Sequence, residues 1–301
     1  MTGLAPRPDP SAGTDDRSLL IVNADDYGLT EGVAEGILEA HRHGVVTSTS
    51  VLALSPAFAT TVRWLDDAPT LGTGAHLAAV GEDPPLLSAR EVPTLVDRRG
   101  RLWSSWRAFL PRAAAGRIDP DDLRREFGAQ LDAIAGGGVE IDHLDTHQNL
   151  HLWPLVADVV LELGEARGVK VVRVTRSSEK GPIGVTVRRL ATRLESELDR
   201  RGWRYAEAST GLDEAGHLHL ADMVTAIGRL SATGARTAEL ATHPGRPNDP
   251  ARSRYRWSYQ WDEEYAALRS VTVRAAIDEL GFRLGRFSDL VAAGPGSGAR
   301  G

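Results

Sequence analysis

The sequence contains no cysteine, which removes thiolate metal sites, cysteine nucleophiles and disulfides together. A metal could then be held only by histidine, aspartate or glutamate, and nine histidines and 41 acidic residues are available. No run approaches the roughly 18 consecutive apolar residues that a membrane span needs. A basic block is missing too. Lys and Arg number 35 against those 41 acids, a formal net charge of −6, which argues against nucleic acid as a partner. The opening MTGLAPRPDPSAGTDDR has no apolar h-region, so a cytoplasmic location is expected rather than secretion. Residues 1–17 are expected to form a disordered leader and residues 293–301 a flexible tail.

What is present suits one α/β domain over residues 18–292. Apolar residues make up 42% of the 301, enough for a sizeable core. Residues 19–23 (LLIVN) form an apolar run of the kind a buried parallel strand needs. Thr30 then offers an N-cap, Val33, Ile37, Leu38 and His41 follow helical spacing, and Gly44 ends the helix. Residues 45–53 are rich in β-branched side chains and predict the next strand. Further strands are expected over 71–77, 139–147, 169–174, 239–243 and 282–287, and helices over 120–135, 154–167, 185–201, 220–232, 262–268 and 273–280. This repeated order predicts a single distorted (β/α) barrel, with a doubly wound sheet as the alternative. No strand candidate runs into GxGxxG or GxxxxGK[ST], which removes support from the nucleotide-binding versions.

Polar clusters fall at four expected strand ends, where such folds carry their chemistry. Asp25 and Asp26 follow the first strand, and two adjacent carboxylates there call for a cation or a shared proton. His76 closes another strand. The segment DHLDTHQNLH, residues 142–151, is the densest cluster. An extended chain would project His143, Asp145 and His147 to one face, and packing alone does not account for three titratable groups there. His243, held between Thr242 and Pro244-Gly245, ends a further strand. A carboxylate with two imidazoles suits a divalent metal, while a spare carboxylate and a further histidine could serve as base and acid.

In order and spacing, LLIVNADDYGLTEGVAEGILEAHRHGVVTSTSVLA, GAHL, HLDTHQNLHLWP, ELATHPG and GFRLGRFSDL resemble the YdjC-like (chitooligosaccharide deacetylase) carbohydrate deacetylase family. The resemblance runs from Ser18 to Leu290. It implies a polysaccharide-deacetylase-like barrel, often dimeric, that hydrolyses the N-acetyl (N-acyl) amide of an amino sugar or oligosaccharide. It implies one divalent ion, Mg2+ or Zn2+, on Asp26, His76 and His147, with Asp25 as base and His243 as acid. Arg173 would orient Asp25, and His143 and Asp145 would support the ligands from behind. The chain departs from the family pattern at Ala78-Ala79-Val80 and at Asn149, which bears on substrate identity.

Trp103 and Trp106 are the expected sugar platform, and Tyr255, Trp257, Tyr259 and Trp261 fit either a sugar face or a dimer interface. Two other functions are compatible with parts of this pattern. Two histidines and a carboxylate can hold non-haem Fe(II) in an oxygenase, but Asp25 and His243 then have no task. A sugar-binding protein on the same scaffold would need no proton-transfer pair.

Overall fold

The computed structural model describes residues 16–292. The expected tail and all of the expected leader except Asp16 and Arg17 lie outside the described residues. The strands are β1 (Ser18–Tyr27), β2 (Ser48–Val51), β3 (Gly72–Leu77), β4 (His143–Thr146), β5 (Ala208–Thr210), β6 (Thr237–Thr242) and β7 (Phe282–Leu284). The helices are α1 (Glu31–His43), α2 (Phe58–Thr61), α3 (Trp106–Ala114), α4 (Pro120–Gly136), α5 (Pro154–Ala166), α6 (Pro182–Arg201), α7 (Leu220–Ala232), α8 (Trp261–Leu268), α9 (Val271–Glu279) and α10 (Asp289–Ala292).

β1 is the axis of the fold. Leu19, Leu20, Ile21 and Val22 are all buried, because this strand is covered on both faces and has no solvent side to alternate toward. All pairings between the named strands are parallel, in the order β4-β3-β2-β1-β6-β5, with β7 against the first residues of β1. Beyond β4 the sheet continues only as single bridges, Leu144 to Val172 and Val171 to Arg204. Arg204 lies just before β5, so the sheet curls toward closure through fragments. The fold is an α/β half-barrel of parallel strands, the distorted form of the expected barrel.

The helices begin and end where local chemistry dictates. Thr30 Oγ1 accepts from Val33 N at 3.0 Å to start α1, and Gly44 ends it. Asp119 caps α4 ahead of Pro120, and Gly202, at φ 68°, closes α6. Several expectations change in extent, among them the strand over 282–287, which contracts to β7. The strand over 139–147 shrinks to β4, which ends where Gln148 and Asn149 adopt left-handed backbone at φ 56° and 54°. Residues 169–174 make bridges but no continuous strand, and 45–53 contracts to β2. Helices α2, α3 and α10 and strand β5 were not expected.

Gly74, on β3, is required by packing. A Cβ there would sit 2.3 Å from the His143 ring, so the small residue makes room for an imidazole inside the barrel.

Candidate metal centre

Adjacent residues on a regular strand point to opposite faces, so Asp25 and Asp26 should not share a site. Both nevertheless line one cavity, because β1 is irregular at that point. Its register with β2 shifts between Ala24 and Tyr27, and Asp26 takes φ 68°. This bulge turns both carboxylates toward the strand ends.

Asp26, His76 and His147 come together there, all buried. Asp26 Oδ1 lies 3.4 Å from His76 Nε2 and 3.4 Å from His147 Nδ1. The two nitrogens are also 3.4 Å apart, so the three atoms form an equilateral triangle. Asp26 Oδ1 has no hydrogen-bond partner although it is buried. Tetrahedral coordination with bonds of about 2.0–2.1 Å has edges of about 3.3–3.4 Å, so the triangle fits three ligands of one ion. His76 Nδ1 donates to Asp145 Oδ1 at 2.9 Å, which leaves the Nε2 lone pair facing the triangle.

Behind the triangle is a buried ion network that sequence reading only partly anticipated. Arg173 Nη1 donates to Asp25 Oδ1 at 2.5 Å and to Asp145 Oδ2, and its Nε donates to Glu239 Oε1 at 2.6 Å. Asn23 Nδ2 adds a bond to Asp25 Oδ1 at 2.7 Å, so Oδ2 is the Asp25 oxygen left for other work. His243 Nε2 lies 3.7 Å from that oxygen. Ser50 donates to Asp145 Oδ2 at 2.9 Å and contacts His143 Nε2 at 3.2 Å, and His143 Nδ1 is 2.5 Å from Asp142 Oδ1. Asp25, His76 and Asp145 form a second close group, but there the Arg173 guanidinium already supplies the positive charge to both carboxylates.

The electrostatics point the same way. Burial would raise Asp26, yet contact with His147 and the charges of His147, His76 and His243 hold it at about 2. Burial likewise opposes ionisation of Asp145, but His76 and Arg173 keep it well below the ordinary carboxylate range. Burial pushes Glu239 up, against the pull of Arg173. Burial opposes a charged His76, and the Asp145 carboxylate overrides it, raising the imidazole to about 9, so a cation at Nε2 would have to displace a proton there. One fixed guanidinium pairs with Asp25, Asp145 and Glu239, and Asp26 adds a further buried carboxylate that it does not reach. A divalent cation in the triangle would offset most of that excess.

The cavity above the triangle holds about 480 Å³ and is also lined by Trp106, Gln148, Asn149, Arg173, His243, Trp257 and Tyr259. A cavity of about 670 Å³ beside Pro56 and Pro250 is larger but has no such cluster. Trp257 packs on the His147 ring at 5.1 Å and Tyr259 on His243 at 4.8 Å. Trp106 reaches the cavity, but Trp103 is not among its lining residues. The Trp103 indole N–H is bonded to Thr94 O at 3.1 Å, and the Arg112 guanidinium covers its ring. Glu239 and Glu264 escaped sequence reading. Glu264 accepts from His243 N at 2.5 Å and from Leu218 N at 3.1 Å. The one signal for Glu239 was a charge inside an otherwise uncharged strand segment, whereas Glu264 follows Asp262 and Glu263 and gave none.

A curled parallel barrel that gathers a buried two-histidine, one-carboxylate group at its strand ends is a scaffold suited to metal-assisted chemistry on a cavity-bound ligand. The chain belongs to the YdjC-like protein family, whose sequence profile matches residues 19–279. Carbohydrate deacetylase 1 of Listeria innocua is 39% identical over 164 residues, 54% of this chain and 64% of that protein. A carbohydrate deacetylase of Brevibacillus brevis is 36% identical over 152 residues, 50% of this chain and 58% of its own length. Each of these two alignments spans less than two thirds of the relative. The chitooligosaccharide deacetylase of Proteus mirabilis is 28% identical over 278 residues, 91% of this chain and 99% of that one. A crystal structure from Enterococcus faecalis V583, provisionally described as a cellobiose-phosphate cleavage protein, superposes with a TM-score of 0.78 at 25% identity. It covers 91% of this chain and 99% of its own.

Proposed function

We propose that the protein is a metal-dependent carbohydrate deacetylase that hydrolyses the N-acetyl (N-acyl) amide of an amino sugar or oligosaccharide. The observation that carries this reading is the 3.4 Å triangle of Asp26, His76 and His147 beside a separate Asp25–His243 pair. An oxygenase or a sugar-binding protein leaves that pair without a task. The names of the relatives in Listeria, Brevibacillus and Proteus support the choice of substrate class.

Asp26, His76 and His147 would hold one divalent ion, with the tetrahedral edge length favouring Zn2+ over Mg2+. Such an ion supplies Lewis acidity toward a water molecule and toward the amide carbonyl. Asp25 takes the proton of the attacking water on Oδ2, while Arg173 and Asn23 hold Oδ1 and fix the carboxylate's angle. His243 Nε2 gives a proton to the departing nitrogen, which is too basic to leave as an anion. Trp106, Trp257 and Tyr259 border the sugar. A homodimer belongs to the same reading and is checked by light scattering.

The test is acetate release from N-acetylated sugars by metal-loaded protein, before and after chelation. Release that stops on chelation and returns with Zn2+ is expected. Protein with one bound metal that releases nothing from any N-acyl sugar would refute the proposal.

A further inference from the structure

Two residues directly after His147 hold a backbone conformation that non-glycine residues rarely adopt, Gln148 at φ 56°, ψ 27° and Asn149 at φ 54°, ψ 33°. The turn ends β4 and lays both side chains along the cavity wall. Gln148 Oε1 accepts from Trp106 N at 2.8 Å. A backbone N–H can only donate, so this bond fixes which branch of the amide is oxygen. It also satisfies a free N–H at the start of α3, where Ser105 makes no side-chain cap bond. The Nε2 branch lies on the other side and meets no protein acceptor among the described residues. Asn149 repeats the arrangement, its Oδ1 taking the Thr175 hydroxyl at 2.6 Å and leaving Nδ2 open.

The rest of the cavity supplies acceptors in quantity. Asp25 and Glu82 line it and can receive the hydroxyl protons of a sugar, Glu82 while also accepting from the Trp257 indole N–H. Sugar oxygens without a proton, in the ring or the glycosidic link, need a donor instead, which the Gln148 amide can supply alongside the Arg107 and Arg256 guanidiniums that also line the cavity. We propose that Gln148 is a specificity-determining residue whose Nε2 donates to such an oxygen in a carbohydrate bordered by Trp106 and Trp257, with Asn149 as the neighbouring donor. The proposal rests on the deacetylase reading for its substrate. It adds the residue that separates an oligosaccharide from an N-acetylated amine with no oxygen at that position.

Gln148→Glu tests it, because the variant keeps the length of the side chain and an oxygen for Trp106 N while turning the donor branch into an acceptor. The readouts are thermal midpoint, bound metal, and kcat and KM for N-acetylglucosamine oligomers. A KM raised about tenfold or more is expected, with kcat within about threefold and with midpoint and metal content unchanged. Unchanged KM would overturn the proposal. So would loss of metal or of thermal stability, since either would make the side chain structural. If wild-type protein binds these oligomers by tryptophan fluorescence without releasing acetate, the deacetylase reading fails and the ratio of binding constants still decides on Gln148. If it does neither, both readings fall.

Discussion

Two neighbouring aspartates receive different work from one bulge. Asp26 faces two imidazole nitrogens with an oxygen that has no hydrogen-bond partner, whereas Asp25 is gripped at one oxygen and open at the other. Arg173 is the residue on which the arrangement depends. Replacing it with Met leaves the Asp25, Asp145 and Glu239 carboxylates without their common cation, and a loss of about 3–5 kcal/mol is expected in denaturant unfolding. A change below about 1 kcal/mol would mean that the network is compensated elsewhere. His243→Ala should slow amide hydrolysis by about 10²- to 10⁴-fold. A matched ester should suffer less, because its alkoxide leaves with less help. Equal penalties on amide and ester would remove His243 from the acid role.

At the level of elements, the segment from β4 into α5 joins fold to site. His151 Nδ1 is bonded to Thr146 Oγ1 and its Nε2 to Arg173 O, both at 2.9 Å. Burial holds this imidazole down at about 4, against an ordinary 6.5. The folded value lies below the unfolded one, so its contribution is complete above about pH 6.5. It is lost as the pH falls through 4, by up to about 3 kcal/mol. Unfolding midpoints measured from pH 7.5 to 4 should fall more steeply in wild type than in His151→Gln, and parallel curves would disprove the linkage. Some of this segment could be read from sequence and some could not. α1 was legible to the residue, because Thr30 and Gly44 mark its ends chemically. The gathering of Asp25, His76, His147 and His243 was legible as strand ends of a parallel barrel. The β1 bulge was not, since no glycine marks Asp26, and neither was the left-handed pair at 148–149. α3 was obscured by Pro111 inside it. The segment 169–174 has the composition of a strand and makes scattered ladder bonds, Arg173 N to Leu144 O at 3.1 Å among them, but no continuous ladder.

At the scale of the whole molecule, an ion held by Asp26, His76 and His147 would add to the stability of the fold as well as to its chemistry. Free metal at about 100 times its dissociation constant would add about 2.7 kcal/mol, a rise of roughly 5 °C in thermal midpoint for a domain of this size. Chelated protein should melt lower by that amount and recover on adding Zn2+; a midpoint indifferent to both would argue against a resident ion. Among the described residues no helix is long and apolar enough to cross a membrane. The most direct measurement is metal content by mass spectrometry, together with acetate release, in Asp25→Asn and Asp26→Asn. The account predicts that Asp26→Asn loses ion and activity together. It predicts that Asp25→Asn keeps close to one ion per chain while turnover falls by about 10²- to 10⁴-fold. Equal loss of metal in the two variants would contradict it.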